Sequence, residues 1–310
     1  MIEGERLTAD TGETGRTLHH PSPLFPRTTL IRRVAAALAM ALALLATVIT
    51  IYPLLNILYL VLRQGIPALS GALFTRNTVG GDMGTTNAGL SNAITGSLLI
   101  VAVSLVLAAP LGILGGIYLS EFAPPRIAAS LRYLANVLSG VPSIVLGYFG
   151  YVVMVVWFGW GFSLLAAAIT LTIIMLPYIL RATELAMEKV PATLREGSLA
   201  LGADRSATVL RVVLKAATPG VLTGLILAIS LAMGETAPLI YTAGWSDYLP
   251  TLQAVHSPVG YLTYVVWTFI NEPFAAAHAL AYAAALFLIA FILILNVGLR
   301  TLVERKSVRS

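Results

Sequence analysis

Six runs of apolar residues, each long enough to cross a lipid bilayer, constrain this sequence more than any other feature. They lie at about 34–62, 93–119, 133–158, 163–181, 217–243 and 276–299. A helix rises 1.5 Å per residue, so about 20 residues cover the roughly 30 Å of hydrocarbon. A backbone in lipid must satisfy its own hydrogen bonds, and helices do this within one segment. The runs therefore predict an all-α integral membrane protein with six transmembrane helices. The third and fourth are separated only by the stretch around Gly159 and Gly161, which predicts an antiparallel helical hairpin. Composition agrees: 58% of the 310 residues are hydrophobic and 11% charged, where a soluble domain would carry about 25% charge.

The cations give the orientation. With six spans and a cytoplasmic N-terminus, all but Arg63 and Arg76 of the 19 lysines and arginines fall on one side. An odd number of spans would destroy that separation. The positive-inside rule then places both termini in the cytoplasm. This explains the net charge of +5 better than a nucleic-acid partner does. The first 33 residues are polar, contain Pro21, Pro23 and Pro26, and show no cleavable signal. They read as a disordered cytoplasmic tail ahead of a membrane domain over 34–310.

Several chemistries are excluded. There is no cysteine, hence no disulfide and no thiolate-bound metal. The histidines, His19, His20, His256 and His278, suggest no ligand set, so no metal is expected. No Gly-x-x-x-x-Gly-Lys-Ser/Thr pattern occurs, so this chain does not hydrolyse ATP. A membrane-embedded enzyme would need clustered acid–base or metal-binding side chains within the spans, where Glu235 stands alone. Pro110, Pro142, Pro177 and Pro238 interrupt apolar runs. They read either as ordinary bundle packing or as helix breaks lining a pathway. Gly115, Gly116, Gly140 and Gly147 allow helices to approach closely.

The longest cytoplasmic loop, about 184–216, is polar enough to lie outside lipid, yet Leu194, Leu199, Leu201 and Val209 keep it amphipathic. It predicts a short helix over 192–200 ended by Gly202, then a second helix begun at Asp204 or Ser206. Such an elbow suits docking against a partner that moves. Glu196, Gly202 six residues later and Val212 ten beyond that resemble the EAA loop of ABC-importer permeases. Gly197-Ser198 replaces the usual alanine pair. Lys215 stands where many members have proline, and Pro219 would end the segment instead.

Three more stretches narrow the resemblance: Asn92-Ala-Ile-Thr-Gly96-Ser-Leu, Gly140-Val-Pro-Ser-Ile-Val-Leu-Gly147 and Gly234-Glu-Thr-Ala-Pro-Leu-Ile240. Over about 88–299 the chain is similar to the PstA family, permease subunits of the phosphate ABC importer with the MetI-like, type I fold. The resemblance implies a permease in the inner (plasma) membrane of a bacterium or archaeon. It would bind no cofactor. Its partners would be a homologous PstC-like permease, two PstB-like ATPase subunits using ATP and Mg, and a PstS-like phosphate-binding protein. Transport would proceed by alternating access. The alternatives are a permease for another oxyanion, such as sulfate or molybdate, or a phosphate-sensing membrane subunit.

The same resemblance implies coupling to the ATPase through Glu196, Gly202, Ala203 and Asp204. It also implies a pathway role for Arg181 and Glu184, which match an Arg-x-Thr-Glu pattern, and for Glu235 and Thr236. An acid within an apolar span is functional by default. Glu235 could accept a hydrogen bond from the hydroxyl of protonated phosphate, which sulfate lacks, or could clamp two helices together. Arg181 and Glu184 could equally be a topology-setting cation with an i,i+3 ion pair. Leu231 stands where family members often have arginine, which would leave that task to Arg181 or to the partner permease.

Overall fold

A computed structural model describes residues 30–78, 88–250 and 255–307. The expected N-terminal tail lies outside the described residues as far as residue 29. All regular elements among the described residues are helical. Among the described residues, five helices are long and apolar enough to cross a membrane, and a sixth span forms if one bent pair counts as one. The chain divides within its first long helix, α1 (Leu30–Ala68), into two compact units, Met1–Asn56 and Ile57–Ser310.

In the first unit, the described residues 30–56 form one helix. Apolar side chains such as Leu38, Met40 and Leu54 are exposed around it. Thr47 and Thr50 donate their hydroxyls to the carbonyls of Ala43 and Ala46, four residues back. That removes two polar groups from an otherwise apolar surface, as a helix in lipid requires.

In the second unit, three long helices form the core. They are α3 (Ser91–Ile117), α6 (Leu164–Glu188) and α9 (Leu214–Gly234). α3 and α6 run parallel. A Cβ on Gly112 would lie 2.7 Å from the Ile179 side chain, and one on Gly116 would lie 2.6 Å from that of Thr183. α9 runs antiparallel to α6, with Gly220 against Ala186 and Gly224 against Ala182. Both seams have the Gly-x-x-x-Gly spacing that lets backbones approach where lipid supplies little hydrophobic drive for helix association. Ile100, Leu171, Met175 and Ile179 are buried between these helices.

The third apolar run is not the continuous helix expected over 133–158. It is α4 (Pro125–Gly140) and α5 (Ser143–Gly150), the latter prolonged by a π-helical turn (Tyr151–Trp157). The two parts meet at 93°. Pro142 disfavours a helical conformation at the preceding residue, and Val141 is extended, with φ −72° and ψ 129°. Gly140 sits at this bend with open space around it, so it serves no close approach. Gly147 does: a Cβ there would meet Pro238 Cα at 2.4 Å.

The fifth run is also broken. α9 ends at Gly234, Glu235 is extended (φ −69°, ψ 131°), and α10 (Ala237–Thr242) restarts with Pro238 in its first turn. A proline ring at 238 lacks an N–H and would clash with the carbonyl of Gly234 in a continuous helix. Pro110, Pro177 and Pro219 remain inside α3, α6 and α9, so Pro219 does not end its segment. α11 (Leu262–Phe269) and α12 (Ala275–Ser307) complete this unit, with α2 (Gly71–Thr75), α7 (Ala192–Ala200) and α8 (Arg205–Ala207) as short connecting helices. At the end where α3 begins, buried Asn92 accepts from Thr78 N and donates to Ser246 O, and Ser97 Oγ accepts from Leu262 N.

Candidate transport site

Three groups of candidate side chains emerge among the described residues, all in the second unit. The first is the elbow between α7 and α8. α7 spans the residues expected of it, and Gly202 adopts φ +85°. Ala203 N donates to Ser198 O and Gly202 N to Leu199 O, the paired bonds of a Schellman turn. Asp204 then caps α8, its carboxylate accepting from Ala207 N at 2.7 Å. Ser198 and Thr208 hydroxyls meet at 3.0 Å across the elbow. Glu196 is exposed on α7, Ala203 is half-buried, and Leu201 at the apex is 91% exposed.

The elbow is also tied to the bundle. Arg195 Nη1 pairs with Glu121 Oε1 at 2.7 Å, and Arg195 Nη2 donates to Met187 O at 2.8 Å. Arg205 donates to the carbonyl of Glu121 and lies over the Phe122 ring, 5.3 Å from its centroid.

The second group surrounds Glu184 on α6. Its side chain is fully buried and paired with both Arg181 and Arg132. Arg132, on α4, also reaches Glu188 at 3.3 Å. Arg181 and Glu184 thus form the expected i,i+3 pair. Arg132 had signalled only topology in the sequence, because nothing in its spacing reveals that α4 folds back onto α6.

The third group lies where the two broken helices meet. A cavity of about 200 Å³ is lined by Ser139, Ser143, Tyr178 and Glu235 together with Leu138, Val141, Leu146 and Ile174. Ser143 lies within hydrogen-bonding reach of the half-buried Glu235 carboxylate. Glu235 therefore sits in a gap between helices, not within a helix. Thr236 faces elsewhere: it lines a larger, mostly apolar cavity of about 620 Å³ with Thr263, Trp267 and Asn271. Arg181 does not line the Glu235 cavity, but Tyr178 does, one turn back along α6. Ser143 entered the sequence analysis only as one residue of the Gly140–Gly147 stretch and Tyr178 carried no signal, because their place at the cavity depends on the bend at Val141–Pro142.

Residues 108–308 match the family described as "Binding-protein-dependent transport system inner membrane component". The chain is 42% identical over 287 residues to "Phosphate transport system permease protein PstA 2" of Mycobacterium bovis, covering 92% of this chain and 94% of that one. It is 35% identical over 282 residues to the protein PstA of Pasteurella multocida, covering 89% and 97%. The chain belongs to the PstA family of binding-protein-dependent transport permeases.

Among solved structures, an inward-facing MetNI methionine ABC transporter chain superposes with a TM-score of 0.55 at 19% identity. The match covers 69% of this chain and 95% of that one, which establishes the MetI-type fold. A member of this family is a multi-pass membrane permease subunit and not an enzyme. Its family description names a binding protein as the general kind of partner.

Proposed function

We propose that the chain is the PstA-type subunit of an ATP-driven importer of inorganic phosphate in the inner (plasma) membrane of a bacterium or archaeon. It lines the pathway with a PstC-like permease. Two PstB-like subunits, using ATP and Mg, lie beneath the two permeases, the elbow of this chain docks in a groove on the ATPase, and a PstS-like protein delivers phosphate. Both termini and the ion-paired end of the bundle face the cytoplasm. The phosphate part of this reading is supported by the named relatives, and the observation that carries the ATP-driven part is the elbow: a turn held by Gly202 and Asp204 that presents Leu201 and Glu196 outward. An exposed leucine on a rigid polar turn is suited to entering a groove on a partner.

The polar cavity at the two helix breaks supports a pathway role for Glu235. Irregular backbone at membrane depth is tolerated where it lines a cavity. The carboxylate accepts a hydrogen bond from the hydroxyl that phosphate retains at neutral pH. Along α6, Tyr178, Arg181 and Glu184 follow one another at three-residue spacing, about 4.5 Å of rise each, so a guanidinium lies within two turns of the cavity.

Phosphate uptake by the complex reconstituted in vesicles tests this reading. Glu235→Gln keeps the shape but weakens the acceptor. A hydrogen bond to a charged group contributes about 1.5–3 kcal/mol, so uptake falls about ten-fold and excess sulfate begins to compete. Unchanged uptake with no sulfate competition would leave Glu235 as a clamp between helices.

A further inference from the structure

The two halves of the elbow grip the same point of the membrane bundle. α7 reaches it through Arg195, whose guanidinium pairs with the Glu121 carboxylate at 2.7 Å. α8 reaches it through Arg205, which donates to the Glu121 carbonyl and lies over Phe122. Glu121 is buried, 9% exposed, so this carboxylate has little water to fall back on. It belongs to a π-helical turn, Tyr118–Phe122, that continues α3 directly. π turns within helices often mark functional positions. Above that turn, α3 is pressed against α6 through Gly112 and Gly116. α6 in turn carries Arg181 and Glu184.

We infer that Glu121 is a positioning residue through which the elbow moves α3 when the ATPase changes state. The inference rests on the proposed coupling role of the elbow and adds the link inside this chain. The elbow is internally rigid, because its turn and cap are fully hydrogen-bonded, so a push on Leu201 moves Arg195 and Arg205 together. Both are held by residues 121 and 122, so the displacement passes into α3. The glycine seam passes it on to α6, since close-packed backbones shift as a unit and do not deform locally.

The chain has no cysteine, so a spin label attached to the purified subunit at Tyr118→Cys before assembly, on the same π turn and 41% exposed, reports on one site. In the assembled complex, ATP shifts the mobility of this label. Glu121→Gln removes the charge but retains the shape. The shift is expected to vanish, while the ATPase still co-purifies and hydrolyses ATP within about two-fold of the parent, and phosphate uptake falls about ten-fold. Arg195→Glu gives the same uncoupling, and Glu121→Arg combined with Arg195→Glu restores both shift and uptake.

A full label shift in Glu121→Gln would overturn the inference. So would an absent shift in the parent, a swapped pair that stays uncoupled, or a loss of shift that merely follows loss of ATPase binding. The phosphate reading fails separately: the parent complex would then show the label shift and import no phosphate.

Discussion

Glu184 and Glu235 are both acids in membrane-spanning regions, and the fold treats them in opposite ways. Glu184 lies inside an unbroken helix, is fully buried, and is paired with two arginines from two helices. Glu235 lies in a gap between helices, is half-buried, and faces a cavity with serine and tyrosine hydroxyls. A buried carboxylate without partners would cost several kcal/mol, so the first arrangement is a closed structural joint. The second leaves the carboxylate able to exchange partners, which a transport site needs. The difference teaches that the helix breaks decide whether an acid in an apolar run is closed off by ion pairs or left facing a cavity.

The largest effect should appear when the joint is broken. Replacing Arg132 and Arg181 together by leucine leaves Glu184 buried and uncompensated, which costs on the order of 3–5 kcal/mol. Thermal or denaturant unfolding in detergent measures it. Glu235→Leu, by contrast, should cost at most about 1 kcal/mol, because its carboxylate already faces a cavity. Equal losses for the two would erase the distinction between joint and site.

A smaller effect is expected at the elbow. Gly202 has open space around its Cα, so a new side chain meets nothing, and the strain comes only from φ +85°. Gly202→Val should cost about 1–2 kcal/mol of local stability and lower phosphate uptake several-fold. Gly202→Asn, which tolerates this conformation, should retain most uptake. An asparagine variant as impaired as the valine one would point to side-chain volume in the docked complex instead of backbone conformation.

The smallest effect is expected at Gly197, which is helical, exposed and without neighbours within 4 Å. Gly197→Ala should stabilise α7 by about 0.5–1 kcal/mol with uptake unchanged. Helix content and uptake of the variant check this. A loss of uptake would mean that the partner packs against this position, extending the elbow's contact beyond Leu201.

Much of this molecule was legible in the sequence. Five of the six expected spans followed from run length and hydropathy among the described residues, because backbone in lipid has few alternatives, and the sixth is met only if the bent pair counts as one span. The elbow was legible down to α7, Gly202 and Asp204, because a left-handed C-cap and an N-cap are local chemistry. Of the glycines expected to allow close approach, Gly116 and Gly147 do so and Gly140 does not, while Gly112, Gly220 and Gly224 showed their part only in the packed bundle. What only the tertiary structure decided is the site. The 93° bend brings Arg132 to Glu184 across 52 positions, and Arg195 meets Glu121 across the fold. The break at Glu235 turns an expected helical acid into one lining a cavity with Ser143 and Tyr178. Local rules state where a helix stops. They do not state which distant side chain meets its end, because that depends on how the broken halves pack.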